Sequence, residues 1–505
     1  MRRREFPGTL RRAPATAVLL GLLAAAVILA GCADPVRQTA GRPFIAVPIE
    51  PSTIYGEATI GEGRSREAID SLEVPGLPHS GPLTLEDCVE LAARVNPNID
   101  STDQGYLGAM WSRWQAITDF LPSVGMSYGP TRYNDATATG SRDQWSWGTE
   151  VQVPIFTGGR TVAGYLLGQL GLSEADINRV RAKEDLVLAV KQAYYGILAA
   201  EKALDVAKTT VVNLQSHLNV ARNFYDVGMV PQNQVLEAEV ELARAQLQET
   251  NRGRELNIAI SKLNVLLRRP MGLPLSLKDE LSQPRFPMTL DDCLLTGLKD
   301  NPEVQLGRNQ VEIRTKSVDV ARSALYPTVT VNYTNNSTGT TGNVSANNQW
   351  RMSATANFNV WEWGRARAGV EINKVTLNQA IDNLMALEDN TKLEINTNFL
   401  NLVSAASNIS VSLKAVELAR ENLRMVSERY QVQVATNTEV MDAQTLFSTA
   451  QYDYYQALYD YNLSWAAIER SMGRSVTTAG LVPLSRPVGT PGSSLIPPEP
   501  VVVSQ

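Results

Sequence analysis

The sequence is written twice. Leu83-Thr84-Leu85-Glu86-Asp87-Cys88 returns 205 positions later as Met288-Thr289-Leu290-Asp291-Asp292-Cys293. Asn96-Pro97 returns as Asn301-Pro302, Leu121-Pro122 as Tyr326-Pro327, Gly159-Arg160 as Gly364-Arg365, and Ala163-Gly164 as Ala368-Gly369. Tyr225 answers to Tyr430, Ala238 to Ala443 and Ala245-Gln246 to Ala450-Gln451 at the same spacing. A constant offset makes most of this 505-residue chain one duplicated unit, where length alone would suggest several unrelated domains. The first copy is read as residues 83–287 and the second as 288–476, related by pseudo-twofold symmetry. Residues 32–82 are rich in Pro and Gly and read as a linker. Residues 477–505 read as a disordered tail, because six prolines fall between 483 and 505.

Each copy opens with a helix signal. Thr84 precedes Asp87 by three residues and Thr289 precedes Asp292 by three, as in a capping box with Asp in the Glu position. These helices should run to about Phe120 and Leu325, be interrupted at Asn96-Pro97 and Asn301-Pro302, and stop before Pro122 and Pro327. Strict alternation follows. Val329, Val331 and Tyr333 alternate with Thr328, Thr330, Asn332 and Thr334; Met352, Ala354, Ala356, Phe358 and Val360 alternate with polar residues. In the first copy Val124, Met126 and Tyr128 give one strand, and Trp147, Val151, Val153 and Ile155 the apolar face of its partner. Period two predicts a hairpin in each copy with one apolar and one polar face. Strands of about ten residues with that division suit a membrane β-barrel; locally they also suit a sheet on a soluble core.

Between Pro154 and Pro231, and again between Pro327 and Pro483, there is no proline. A helix from about Arg160 to Asp226 would be on the order of 100 Å long at 1.5 Å per residue. One seam of it is small (Leu186, Ala189, Ala193, Gly196, Ala200, Ala203, Ala207) and spaced 3-4-3-4, a heptad pattern. Beside it runs a bulkier stripe of Val187, Val190, Tyr194 and Ile197. Two adjacent seams imply neighbours on both sides, as in a wall of helices.

The N-terminus carries Arg2, Arg3, Arg4, Arg11 and Arg12, then an apolar run from Ala15 to Ala30 ending in Leu29-Ala30-Gly31-Cys32. This is the layout of an export signal, residues 1–31. Leu-Ala-Gly-Cys resembles the bacterial lipoprotein signal, which implies acylation of Cys32. Ala33 rather than Asp after it favours the outer membrane by the same resemblance. No later segment offers about 18 consecutive apolar residues, so a membrane crossing by the rest of the chain is expected from strands. Four strands cannot close a barrel, because unpaired sheet edges in lipid leave polar groups unsatisfied. If the strands lie in lipid, several copies must share one barrel: two would give eight strands and three would give twelve.

The order of lipoprotein cysteine, helix, hairpin, long helix, turn and helix, then all again, resembles the outer membrane efflux protein family, the TolC-like outer membrane factors. The resemblance covers nearly all of Leu83 to Gly473. It implies an α+β membrane protein: a trimeric 12-strand outer-membrane β-barrel, four strands per chain, continued by a long periplasmic α-helical barrel of coiled-coil helices. It implies an exit duct of a tripartite efflux or type I secretion system that catalyses no reaction. The partners it implies are a homotrimer, a periplasmic adaptor protein, an inner-membrane RND or ABC transporter and outer-membrane lipid.

The resemblance also singles out two helix tips. Val227, Gly228 and Met229 in the first, and Val432, Gln433 and Val434 in the second, are implied adaptor contacts. Gly228 can take positive φ, whereas Gln433 stands where the family usually has Gly, which leaves that turn and its contact open. Glu439 and Asp442 share a helical face and match acidic residues that ring the closed entrance in TolC-like proteins. Thr436-Asn437-Thr438-Glu439 equally reads as a capping box. Tyr430 matches a family tyrosine that holds the entrance shut, and also suits plain packing. Gln234 replaces an acid in the first copy, with Glu237 following. Ala435 stands where TolC itself has a gate arginine.

Other classes fare worse. A formal charge of −6 offers no basic surface for nucleic acid. Two histidines, His79 and His217, argue against a histidine-built metal site. Three cysteines make no disulfide framework; Cys88 and Cys293 read as buried small residues. No catalytic constellation is evident, and no metal or cofactor is expected. The alternative is a periplasm-spanning coiled-coil lipoprotein without transport activity, which would not need alternating strands.

Overall fold

The computed structural model describes residues 81–135, 142–339, 347–477 and 480–482. The expected export signal, Cys32, His79 and most of the linker lie outside them. Each copy begins with a short helix, α1 (Leu85–Val95) or α5 (Leu290–Asp300), started by a capping box from Thr84 or Thr289. Each helix yields at Asn96 or Asn301, whose side chain caps the next one, α2 (Pro97–Thr118) or α6 (Pro302–Ser323). Proline at the first helical position has no N–H to lose there, so the interruption is cheap.

The strands β1 (Ser123–Arg132), β2 (Asp143–Phe156), β3 (Thr328–Gly339) and β4 (Asn347–Asn357) form one antiparallel sheet in sequence order. Its register carries the alternation across all four. Val124, Val151, Tyr333 and Met352 make one row, and Gly125, Glu150, Thr334 and Arg351 the next. Apolar side chains of the first kind are open to the surroundings: Val124, Met126, Tyr128 and Met352 are 57–74% exposed. Strand β4 ends at Asn357, so Phe358 and Val360, expected in it, belong to the turn that follows.

From the sheet run the long helices α3 (Arg160–Asp226) and α7 (Arg365–Gln431), 67 residues each, started by Gly159 and Gly364 at positive φ. Each is followed by a return helix, α4 (Gln232–Leu266) or α8 (Asn437–Met472). The α-helices of the two copies begin at positions separated by the same 205 residues. Helix α3 packs on α2, α4, α6 and α8.

The two seams of α3 divide their work differently from expectation. The bulky one is the buried one: Val190, Tyr194 and Ile197 are fully enclosed, and the Tyr194 hydroxyl reaches Asp279 Oδ2 at 2.7 Å. The small seam is buried only at its ends, Leu186 and Ala207. Ala193, Gly196, Ala200 and Ala203 instead line an open groove of about 390 Å³ beside α4 and α8. Among the described residues, and apart from its own turn of helix, no atom lies within 4 Å of where a Cβ on Gly196 would be. Small residues there leave space rather than close it.

Two further differences concern length and hydropathy. Short strands β5 (Ser475–Thr477) and β6 (Gly480–Val482) pair antiparallel, so regular structure passes the expected boundary at 477. Helix α7 contains an 18-residue window of mean hydropathy 1.3, long and apolar enough to cross a membrane by length and composition. Its apolar residues are interspersed with Asn401, Ser404 and Asn408, so no run of consecutive apolar residues forms.

Candidate functional site

The helix ends farthest along the chain from the sheet carry the residues singled out above. At the first tip Gly228 takes φ 74°, with its N–H donating to Tyr225 O and that of Met229 to Phe224 O. At the second, Gln433 takes φ 61° and repeats the pattern, its N–H donating to Tyr430 O and that of Val434 to Arg429 O. The departure from glycine therefore leaves the turn intact. An L-residue held there costs about 1 kcal/mol. Val227, Met229, Val432 and Val434 are 58–69% exposed, an apolar fringe on both turns.

Behind the second tip α8 begins with a complete capping box: Thr436 Oγ1 accepts from Glu439 N, and a Glu439 carboxylate oxygen accepts from Thr436 N. Glu439 also faces Arg429 at 3.9 Å. Its carboxylate is thus held by its own helix end. Asp442 is exposed one turn on. Gln234 is half-buried, its N–H donating to Pro231 O.

Tyr430 is 4% exposed and packs with Ala435, Val440, Val220 and Phe224. Its hydroxyl finds no hydrogen-bond partner among the described residues, and burial raises its pKa. Next to it is a residue that no local sequence signal assigns to this place. The His217 ring lies 4.7 Å from the Tyr430 ring, and its Nε2 is 2.7 Å from Asn437 Oδ1. Asn437, 2% exposed, donates from Nδ2 to Glu237 Oε2 at 3.2 Å. With the amide nitrogen committed to a carboxylate, the amide oxygen is the acceptor, so the imidazole donates through Nε2–H. Burial lowers the His217 pKa, partly offset by this bond. One chain of contacts, His217 on α3, Asn437 on α8 and Glu237 on α4, ties the two copies together just behind their tips. Asn213 donates to Gln444 Oε1 nearby, beside a cavity of about 260 Å³ that His217 and Tyr430 also line. His217 and Asn437 are 220 positions apart, a pairing no local motif announces.

The family model for the outer membrane efflux protein matches residues 111–267 and 296–474. The chain belongs to that family. Its relatives include the alkaline protease secretion protein AprF of Pseudomonas aeruginosa, 20% identical over 407 residues that span 76% of this chain and 83% of AprF. The fold is similar to the Campylobacter jejuni CmeC outer membrane channel (TM-score 0.70, 15% identity, 77% of this chain and 85% of that one). It is likewise similar to the outer membrane protein VceC of Vibrio cholerae (TM-score 0.69, 15% identity, 77% and 96%). The chain is accordingly an outer-membrane export channel, and the tips are the ends of its helical part. Cys88 and Cys293, at equivalent places in the two copies, are fully buried and free.

Proposed function

We propose that the chain is one third of a homotrimeric exit duct, anchored by acylated Cys32 in the outer membrane and serving a tripartite efflux or type I secretion system. The observation that carries this reading is the sheet. Four strands present a row of open apolar side chains, and β1 and β4 each leave one edge without a partner among the described residues. In lipid such edges must pair, and a ring of copies joining β4 to the next β1 satisfies them without exception. Three copies would give 12 strands. Each strand pair continues into a helix of about 100 Å, which suits a wall crossing the periplasm.

The tips then form the periplasmic entrance. Val227, Gly228, Met229, Val432, Gln433 and Val434 are the surface offered to an adaptor protein, and Tyr430, Gln234, Glu237, Glu439 and Asp442 surround the entrance. The partner across the inner membrane is a transporter of the RND or ABC class. The non-transporting alternative is disfavoured by the open apolar face of the sheet, which a periplasmic spacer has no use for.

The purified protein in detergent should have the mass of three chains and conduct ions in a planar bilayer. A monodisperse monomer without conductance would refute the reading. Mass spectrometry of the mature N-terminus should find an acylated Cys32, and an unmodified cysteine would remove the anchor from the proposal.

A further inference from the structure

The two copies leave the sheet through equivalent turns that carry different residues. In the first, Gly158 takes φ 64°, and a Cβ there would lie 2.6 Å from Ser323 O and 3.0 Å from Tyr326 Cβ. This is the junction between copies within the chain: the exit of β2 sits tight against the α6–β3 corner. In the second, Trp363 takes the same left-handed conformation at φ 52°, and its side chain is 89% exposed. Trp361 beside it is 73% exposed, its ring 5.6 Å from that of Trp363. A large aromatic residue at positive φ is a backbone outlier, and two open indoles on one turn leave unusual apolar area uncovered.

We infer that Trp361 and Trp363 wedge the junction between one copy of the chain and the next, an inference that rests on the homotrimer proposed above. The within-chain junction says what they meet. Displaced by 205 positions, Ser323 becomes Thr118 and Tyr326 becomes Leu121, both at the α2–β1 corner, on the opposite flank of the chain. The strand register points to the same place. Phe156 pairs with Val329; displaced, Trp361 meets Val124 of the next copy. That flank carries matching open apolar surface: Trp114 40%, Phe120 44%, Leu121 49% and Val124 57% exposed.

The glycine-to-tryptophan difference has a consequence for shape. A Cβ cannot occupy the position that Gly158 leaves empty, so the junction between copies must stand wider than the one within the chain. The indoles fill the extra width. Six similar junctions around the ring then alternate between tight, at Gly158, and wedged, at Trp363, and the ring has threefold rather than sixfold regularity where barrel meets tunnel. Lipid is the other possible cover for these indoles, and the test separates the two.

The test is a cysteine pair, Trp363→Cys with Leu121→Cys, in the full-length protein in detergent and in outer membranes. The Cβ atoms should come within disulfide range, about 3.5–4.5 Å. Background from native thiols is low, because Cys88 and Cys293 are enclosed and burial pushes their pKa values up to about 12 and about 11. Mild oxidation should convert most of the protein into covalent oligomers that reduction returns to monomers, while either single variant stays monomeric. A second variant, Trp363→Gly, restores the first copy's residue and relieves the backbone, so its folding is not at risk. Its trimer should dissociate in SDS several degrees lower than that of the unaltered protein. A conducting trimer that does not cross-link, keeps its dissociation temperature in Trp363→Gly, and loses quenching of indole emission by brominated lipid on that change would assign the turn to lipid and overturn the inference. If the unaltered protein is itself monomeric and silent in bilayers, the trimer reading has failed first.

Discussion

The two tips adopt one backbone turn but are secured differently. At the first, Gly228 makes the left-handed residue without strain, and α4 starts after Pro231 with no side-chain cap. At the second, Gln433 bears the strain, and in return Thr436 caps α8, Tyr430 is buried behind the turn, and Asn437 receives His217. The first tip is held by the ease of its own backbone. The second is held by contacts to the other copy, some of which have to break if the tips move apart. That difference makes the second tip the one whose position is conditional.

Asn437→Ala should show this most strongly. It takes the acceptor from half-buried His217 and leaves the exposed Glu237 carboxylate to water, at a cost of about 1 kcal/mol. Hydrogen exchange should rise more around 430–440 than around 225–235, and bilayer conductance of the closed channel should increase. Equal protection at both tips would erase the distinction. Exchanging the turn residues comes next. Gly228→Gln should destabilise the first tip by about 1 kcal/mol and Gln433→Gly should stabilise the second by a similar or smaller amount, read from local exchange rates. Thr436→Ala should cost about 1 kcal/mol through the lost cap, with no counterpart at Pro231.

Acid should act most on the second tip, whose Tyr430 ring and Asn437 side chain rest directly on His217. Partial burial holds the His217 pKa below the ordinary histidine value of 6.5. Its contribution is therefore fully present above about 6.5, the ordinary value, and is lost as pH falls through the depressed one. Protection at 430–440, taken relative to the intrinsic exchange rate at each pH, should fall as pH drops below the ordinary histidine value, and His217→Gln should flatten that dependence. A pH response of equal size at the first tip would detach it from His217.

What the sequence disclosed and concealed follows from the range of each interaction. Capping boxes, the Asn-Pro breaks, the alternation in Val329–Tyr333 and the proline-free spans are local, and the corresponding elements are seen at Thr84, Asn96, β3 and α3. The turn at the second tip stayed open in the sequence because Gln433 follows the hydrogen bonds that the turn's backbone makes, at its own N–H and that of Val434, rather than its intrinsic preference. The two seams of α3 were both visible, but which one is buried depends on Asp279 and Leu83 holding Tyr194 from far along the chain. His217 was legible only as a lone histidine, since its partners Asn437 and Tyr430 come from the other copy.

The smallest effect separates two uses of one carboxylate. Glu439 caps α8 and lies 3.9 Å from Arg429 in an exposed pair worth at most about 1 kcal/mol. Glu439→Gln keeps an oxygen that can accept from Thr436 N, so as a cap alone it should change stability by a few tenths of a kcal/mol. Asp442→Asn adds almost nothing structurally, because Asp442 is exposed. If the two acids also ring the entrance around a symmetry axis, the double variant should lose cation selectivity and divalent-cation block in planar bilayers while the trimer and the second tip's exchange protection stay as they were. Unchanged selectivity would leave Glu439 as a helix cap, and the difference between the tips would then be one of fastening alone.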